Sequence, residues 1–180
     1  MSDLSTLNSK MKWIRIGIVL LIVTVIAGVF VLKSLQNKDK DKNEPNDTFP
    51  LKISETNIDE IKLYGVPTVI DFGSDSCIPC KKMAPVLETL NKEWQDRAAV
   101  QFMDVWKYSD GVEDFPITVI PTQVFLNADG TPFVPSEELA SQIEFTMYAD
   151  KISNEHAFTV HQGGITENQM RMIFSEMGVE

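Results

Sequence analysis

The sequence contains very little cysteine and histidine: only two of each occur in 180 residues. Two thiols cannot supply the several bridges of a small disulfide-stapled protein, and a chain of this length buries enough apolar surface to fold without them. The cysteines are Cys77 and Cys80, separated by two residues. This spacing indicates a reactive or metal-binding pair before it indicates a structural crosslink.

Basic residues are scarce in most of the chain. From residue 50 onward there are 21 Asp and Glu against 9 Lys and Arg, whereas residues 1–49 carry 7 basic and 5 acidic residues. An acidic surface of this kind repels the phosphate backbone of nucleic acids. We therefore expect no nucleic-acid partner.

Charge is absent altogether from one stretch near the N-terminus, Ile16 to Leu32, which has the sequence IGIVLLIVTVIAGVFVL. As a helix it is roughly 25 Å long, and the flanking Trp13, Arg15 and Lys33 can extend it toward the ~30 Å of a bilayer core. The main alternative is a cleavable signal peptide, which normally ends in small residues that VFVLKSLQ does not offer. We therefore predict a single-pass membrane anchor.

The predicted organisation has four parts: a short basic tail at 1–15, a transmembrane anchor at 16–35, a polar linker at 36–49 and a folded domain at 50–180. The linker has almost nothing to bury, so we expect it to be a solvated tether. A short basic tail is difficult to translocate. We therefore expect the tail inside the cytoplasm and the folded domain outside it.

Beyond residue 50, short β-type runs alternate with residues at helical spacing. The predicted elements are a short helix between Asn57 and Gly65, a strand in PTVIDFG, a helix from Pro79 to about Arg97, a strand in AAVQFMDVW, a strand pair around the turn Asn127–Gly130, a helix from Ser136 to Tyr148 with Leu139, Ile143 and Met147 on one face, an extended piece in AFTVH, and a closing helix capped by Thr166 and Gln169. This order predicts an α/β sandwich in which helices flank a mixed central sheet.

The cysteines lie where the strand PTVIDFG gives way to the helix. A sulfur at the start of a helix faces unpaired N–H groups and the positive end of the helix dipole, so the pKa of Cys77 should fall. Cys80 lies one turn further on the same face, within reach of a disulfide with Cys77. We expect Cys77 to attack a substrate disulfide and Cys80 to resolve the mixed disulfide. Asp71 on the preceding strand would accept the Cys80 proton if its carboxyl is buried.

Three segments resemble, in the same order, the active-site segments of the thioredoxin family: DFGSDSCIPCKKMAP, VIPTQVFLNADG and VHQGGIT. The resemblance covers about Ile58 to Val179. It implies a thioredoxin-like fold, a redox-active Cys77–Cys80 disulfide, protein thiols or disulfides as substrates, and no cofactor. It also implies that Pro121 follows a cis peptide bond and faces the cysteines. The residues it places in contact with the substrate chain are Ile78, Pro79, Ile120, Pro121 and Gly163.

The sequence departs from the family pattern in two ways. Gly73 and Ser76 stand where the family usually has tryptophan, and Ile78 replaces a glycine, so the apolar contact surface should differ. A segment at about 134–157 is longer than the usual hairpin, and we predict an inserted helical segment there, before the last strand. It is either functional or a helix that merely packs against the sheet.

The direction of electron flow has two candidate answers. Pro79 and Ile120 are closer to reducing members of the family, which favours a reductant or isomerase over an oxidising dithiol foldase. Outside the membrane, a reductant needs a membrane electron-transfer partner. Non-catalytic alternatives are a binding module, or a metal site in which the cysteines join His156 and His161. Because 75 residues separate Cys80 from His156, we expect no metal.

Overall fold

The computed structural model describes residues 20, 21, 24 and 48–180. The predicted tail, nearly all of the predicted anchor and the linker up to residue 47 lie outside these residues. Residues 20, 21 and 24 are helical. Within the described part of the chain, no helix has the length and apolar character needed to cross a membrane.

A six-stranded mixed sheet forms the centre of residues 48–180. Its strands are β1 (Lys52–Ile53), β2 (Thr68–Gly73), β3 (Ala99–Asp104), β4 (Thr122–Leu126), β5 (Thr146–Ala149) and β6 (His156–Gln162), in the spatial order β1-β3-β2-β4-β6-β5. Strands β1 and β2 run parallel to β3, whereas the pairs β2/β4, β4/β6 and β6/β5 are antiparallel. The predicted mixed sheet is confirmed. The carboxyl ends of β2 and β3 meet at one edge, where ligand chemistry is expected in such sheets.

Within residues 48–180, four α-helices and one 3₁₀ turn accompany the sheet. They are α1 (Ile58–Ile61), α2 (Ile78–Glu93), the 3₁₀ turn (Val112–Asp114), α3 (Glu137–Gln142) and α4 (Glu167–Glu176). The predicted capping box of α4 is present, since the Thr166 side chain accepts from the backbone of Gln169 and the Gln169 side chain accepts from the backbone of Thr166. Helix α2 is slightly shorter than predicted because its C-cap, Trp94, leaves the helical conformation and packs on Phe174 with ring centroids 4.9 Å apart.

The core has two parts, one on each face of the sheet. Because side chains alternate along a strand, Val69 points to one face and Ile70 to the other. The face of Val69 is covered by α2 and α4, and its largest members include Leu87, Leu90, Phe125, Ile173 and Phe174. The opposite face packs around Ile70, Phe72, Met103, Phe115 and Val124. Asp71, two positions after Val69, therefore lies on the face that α2 covers.

The segment at 134–157 is not helical throughout, so this part of the prediction is wrong. Helix α3 ends at Gln142, and Met147, predicted on its apolar face, is 51% exposed in the edge strand β5. Leu139 and Ile143 are buried as expected. The chain leaves the helical path because Phe145 packs edge-on against Phe125 and Phe133, and the residues that follow favour an extended strand beside β6.

The strand pair predicted around Asn127–Gly130 forms only in part. The turn is present, because the Gly130 N–H donates to the Asn127 carbonyl at 2.8 Å and the Asn127 N–H to the Thr131 carbonyl at 2.8 Å. The returning chain contributes a single bridge, between Leu126 and Pro132. Proline has no N–H to donate, so the ladder cannot continue there. The long antiparallel partner of β4 is β6 instead.

Candidate active site

Cys77 and Cys80 form a disulfide at the N-terminus of α2, with their Cα atoms 5.3 Å apart. Cys77 is the N-cap residue, and its sulfur accepts the backbone N–H of Cys80 at 3.4 Å. The first turn of this 16-residue helix contains no acidic residue. The sulfur therefore occupies the position at which the helix dipole and backbone donors favour negative charge. Cys77 is 8% exposed and Cys80 3%, so Cys77 is the more accessible of the two.

The loop that leads into Cys77 is held by Asp104, which is buried at the end of β3. Its carboxylate accepts the backbone N–H groups of Asp75 and Trp106, each at 3.0 Å. Lys107 lies 3.4 Å from the same carboxylate and also pairs with Asp75. Burial raises the pKa of Asp104, but these donors together outweigh burial and hold the pKa below its ordinary value. Sequence analysis missed this residue, whose only signal is an acidic side chain ending an apolar strand.

Asp71 lies beneath the cysteines, fully buried in β2. Its Oδ1 accepts from Nε2 of Gln123 at 2.7 Å, whereas its Oδ2 has no hydrogen-bond partner in the described part of the chain. Burial raises the pKa of Asp71 to about 7, and the hydrogen bond from Gln123 acts in the opposite direction. A carboxyl group with a pKa near 7 can accept or donate a proton at neutral pH.

Because Gly73 has no side chain, it leaves space between Asp71 and Cys80. A Cβ atom on Gly73 would lie 3.2 Å from the sulfur of Cys80 and 3.4 Å from Oδ2 of Asp71. The unpartnered carboxyl oxygen and the inner sulfur therefore lie beside the same backbone position, which has no side chain to separate them. Cys80 also borders a cavity of about 170 Å³, whose mainly apolar lining includes Leu51, Ala84, Leu87 and Phe102.

The two later segments of the resemblance meet beside the disulfide. The Ile120–Pro121 peptide is cis, as the resemblance implies. Thr122 pairs with Phe72, which brings Pro121 to the edge of the sheet where β2 ends. The N–H of Gly163 donates to the carbonyl of Pro121 at 2.8 Å, so these two segments are directly joined.

The predicted contact residues differ in exposure. Ile78 is 70% exposed and Pro79 is also exposed, whereas Ile120 and Gly163 are half-buried and Pro121 is buried. Sequence analysis did not select two further exposed apolar side chains in the connection between β3 and β4: Trp106, just after β3, and Val119, just before the cis peptide. The sequence feature that could have identified them is a large apolar side chain in the loop that follows the carboxyl end of β3.

The two histidines have other partners. His156 Nε2 lies 2.9 Å from the hydroxyl of Thr159, and His161 Nδ1 lies 2.8 Å from the carbonyl of Glu144. Among residues 48–180, no three His, Cys, Asp or Glu side chains are grouped as metal ligands. The cysteines, which the metal alternative required as ligands, are bonded to each other.

A disulfide closed across two intervening residues, above a buried carboxyl group, is suited to exchanging disulfides with other molecules. Together with the relatives described next, it makes the chain a thiol–disulfide oxidoreductase. The family model for thioredoxin matches residues 51–150. The chain belongs to the thioredoxin family.

Individual relatives agree with this assignment. The thioredoxin of Staphylococcus saprophyticus is 34% identical and that of Staphylococcus haemolyticus 33% identical over 100 residues, which is 52% of this chain and 94% of each relative. The thioredoxin of Borreliella burgdorferi is 32% identical over 68 residues, 38% of this chain and 58% of that protein. Among solved structures, a thioredoxin variant from Halobacterium salinarum is 20% identical with a TM-score of 0.50, covering 75% of this chain and 96% of its own. That likeness concerns the fold alone.

Proposed function

We propose that the domain reduces or isomerises disulfides of protein substrates through a mixed disulfide at Cys77. The Cys77 thiolate attacks one substrate sulfur, the substrate S–S bond breaks, and the other substrate sulfur leaves and takes up a proton from solvent. The sulfur of Cys80 then attacks that of Cys77, the Cys77–Cys80 bond forms, and the second substrate thiolate departs. The substrate is reduced and the domain oxidised. A dithiol donor must reduce Cys77 and Cys80 before the next cycle.

In this proposal Asp71 takes the proton of Cys80. Cys80 is a nucleophile only as a thiolate, so its proton must go to a nearby base as it attacks. Oδ2 of Asp71 and the Cys80 sulfur lie beside the same point on Gly73. Its pKa of about 7 lets Asp71 hold this proton temporarily and release it afterwards.

The substrate chain is proposed to lie along the edge formed by Ile78, Pro79, Ile120, Pro121 and Gly163. An extended substrate segment would pair with the backbone of Ile120 as an added strand. The exposed side chains of Ile78, next to Cys77 in the chain, and Val119, next to Ile120, offer apolar contact. Contacts of this kind recognise an extended backbone next to a disulfide rather than one particular sequence.

The single observation that carries the proposal is the position of Cys77 as N-cap of α2, with Cys80 bonded to it one turn further on. The test is to trap the intermediate by mixing the reduced domain with insulin whose disulfides are intact. Cys80→Ser should accumulate a mixed disulfide with the substrate, and Cys77→Ser should form none. Equal reduction rates for wild type and Cys77→Ser would contradict the proposal.

We also propose that residues 16–35 anchor the domain in a membrane, with the domain outside the cytoplasm. Support comes from the uncharged stretch between Arg15 and Lys33. In that location a reductant needs electrons carried across the bilayer, so the proposed donor is a membrane protein with a reactive dithiol. Extraction of cell membranes with alkaline carbonate tests the anchor, since release of the full chain into the soluble fraction would contradict it. Protease treatment of intact cells tests the orientation.

A further inference from the structure

Gln123 is a polar residue in a place that packing alone would fill with an apolar one. It lies in the middle of β4, is fully buried, and is followed by Val124 and Phe125 in the core. Its Oε1 has no hydrogen-bond partner among the residues that the structure describes. Burying a carboxamide with an unpartnered oxygen is unfavourable compared with an apolar side chain of the same size. The benefit of this residue therefore has to come from its Nε2 group.

The Nε2 group of Gln123 connects Asp71 to the Gly163 segment. Gln123 lies directly opposite Asp71 in the antiparallel pair β2/β4, where side chains on one face are neighbours. One N–H donates to Oδ1 of Asp71 at 2.7 Å and the other to the carbonyl of Gly163 at 3.2 Å. Two acceptors fit the two donors of an NH₂ group. The reversed amide would place its oxygen against both acceptors.

These bonds fix the orientation of the Asp71 carboxyl group relative to the inner cysteine. With Oδ1 engaged by Gln123, Oδ2 is left beside Gly73 and the sulfur of Cys80. The terminal torsion of an aspartate is soft, so without this donor the carboxyl plane could turn away from the orientation that points one oxygen at Cys80. Gln123 also contacts the sulfur of Met83, one turn beyond Cys80 in α2, at 3.6 Å. It therefore contacts β2, helix α2 and the Gly163 segment, three of the parts that surround Asp71 and Cys80.

We propose that Gln123 is a positioning residue for the resolving step, which holds Asp71 with Oδ2 toward Cys80 and ties it to the substrate-facing Gly163 segment. The inference rests on the proposed function and adds to it a residue that does not itself touch the substrate or the reacting sulfurs.

Electrostatics supports the same role. Burial raises the pKa of Asp71, and the donor on Gln123 lowers it by stabilising the ionised form. Gln123 from β4 donates to Asp71, and Cys80 from α2 and Phe102 from β3 lie with the Asp71 carboxyl around the Cβ position of Gly73; no charged side chain of the described residues contributes to the shift. Without the donor the pKa of Asp71 rises further, so less carboxylate is present at pH 7 to accept the proton of Cys80.

The test follows a single turnover with dithiobis(nitrobenzoate). The reduced protein releases one coloured thiolate when Cys77 attacks the reagent and a second when Cys80 resolves the mixed disulfide. The second release is measured against pH for wild type, Gln123→Met, which keeps the volume but removes the donor, and Gln101→Met. Gln101 is the matched control, because it is a buried glutamine with an unpartnered oxygen beside Ile70, on the opposite face of the sheet from Asp71.

We expect Gln123→Met to move the pH midpoint of the second release upward by about one unit and to slow it roughly fivefold at pH 7. Gln101→Met should leave the midpoint unchanged, and Gln123→Met should cause no further shift when combined with Asp71→Asn. An unchanged midpoint in Gln123→Met, or the same shift in Gln101→Met, overturns the inference. If Gln123→Met does not fold, Gln123→Asn, which is too short to span both acceptors, is tested against the same criteria.

The outcomes also separate this inference from the proposed function. If the wild type releases only one thiolate per molecule, or if Cys77→Ser reacts like the wild type, the exchange mechanism itself fails. If the wild type releases both thiolates but the pH midpoint of the second release is the same in the Gln123 variants, the exchange mechanism stands and the positioning role is wrong.

Discussion

The unpartnered carboxyl oxygen of Asp71 and the sulfur of Cys80 lie on the same side of Gly73, 3.4 Å and 3.2 Å from the point where a Cβ atom of that residue would be. In a strand, the side chain two positions after Asp71 points to the same face of the sheet, and at that position this chain has a glycine. Because Gly73 has no side chain, the carboxyl group of Asp71 and the sulfur of Cys80 border the same small space inside the protein.

Replacing Asp71 with asparagine should stabilise the oxidised protein and slow the resolving step. Burial raises the pKa of Asp71 from 3.8 to about 7, so as pH rises the unfolded chain loses this proton before the folded one. The folded state is therefore penalised progressively between about pH 4 and pH 7, by up to about 4 kcal/mol above that range. Urea unfolding at pH 4 and pH 8 measures the free energy of unfolding of the wild type and of Asp71→Asn. The variant should gain stability only at the higher pH, and equal gains at both would contradict the raised pKa.

Adding a methyl group at Gly73 should disturb the boundary between Asp71 and Cys80. In Gly73→Ala the new Cβ would lie 2.9 Å from a ring carbon of Phe102, so that ring must move. We expect a loss of stability of about 1 kcal/mol and a slower second thiolate release. Gly164→Ala is the control, since nothing lies within 4 Å of its Cβ position. A Gly73→Ala variant that resolves as fast as the control would show that the boundary does not matter.

Removing one carboxylate oxygen from Asp104 should loosen the loop before Cys77. In Asp104→Asn only one of the two backbone donors, from Asp75 or Trp106, keeps an oxygen acceptor, which costs about 1–2 kcal/mol at pH 7. Burial raises the pKa of Asp104, but its donors lower it overall, so the wild type holds this stabilisation above the unfolded pKa and loses it as pH falls through the folded value. Thermal melting of both proteins should differ at pH 7 and converge in acid. A constant difference would contradict this account.

Sequence analysis could predict the cysteine pair and Asp71 because their arrangement depends on local spacing. Two cysteines at the start of a helix share a face, and a carboxyl in the strand before it lies on the face that the helix covers. Gln123 was missed because its role depends on the register between β2 and β4, which are more than 50 residues apart in the chain. A glutamine inside the apolar run TQVFL was the only signal.

The inserted segment shows where periodicity fails. Leu139 and Ile143 follow helical spacing and are buried, so the helical pattern was correct up to that point. Met147 is four residues after Ile143 and so matches helical spacing, but it lies in the strand β5. Its strand forms because β6 offers an unpaired edge and Phe145 fills a gap between core aromatics, and both are tertiary effects that a short window of sequence does not contain.

We propose that the position of Cys77 at the start of α2 makes it the acidic, attacking thiol. The most direct measurement is the rate of alkylation by iodoacetamide against pH, for Cys77 in Cys80→Ser and for Cys80 in Cys77→Ser. We predict a midpoint for Cys77 at least about one unit below the ~8.5 of free cysteine, and one for Cys80 at or above that value. Two midpoints near 8.5 with similar rates would contradict the account.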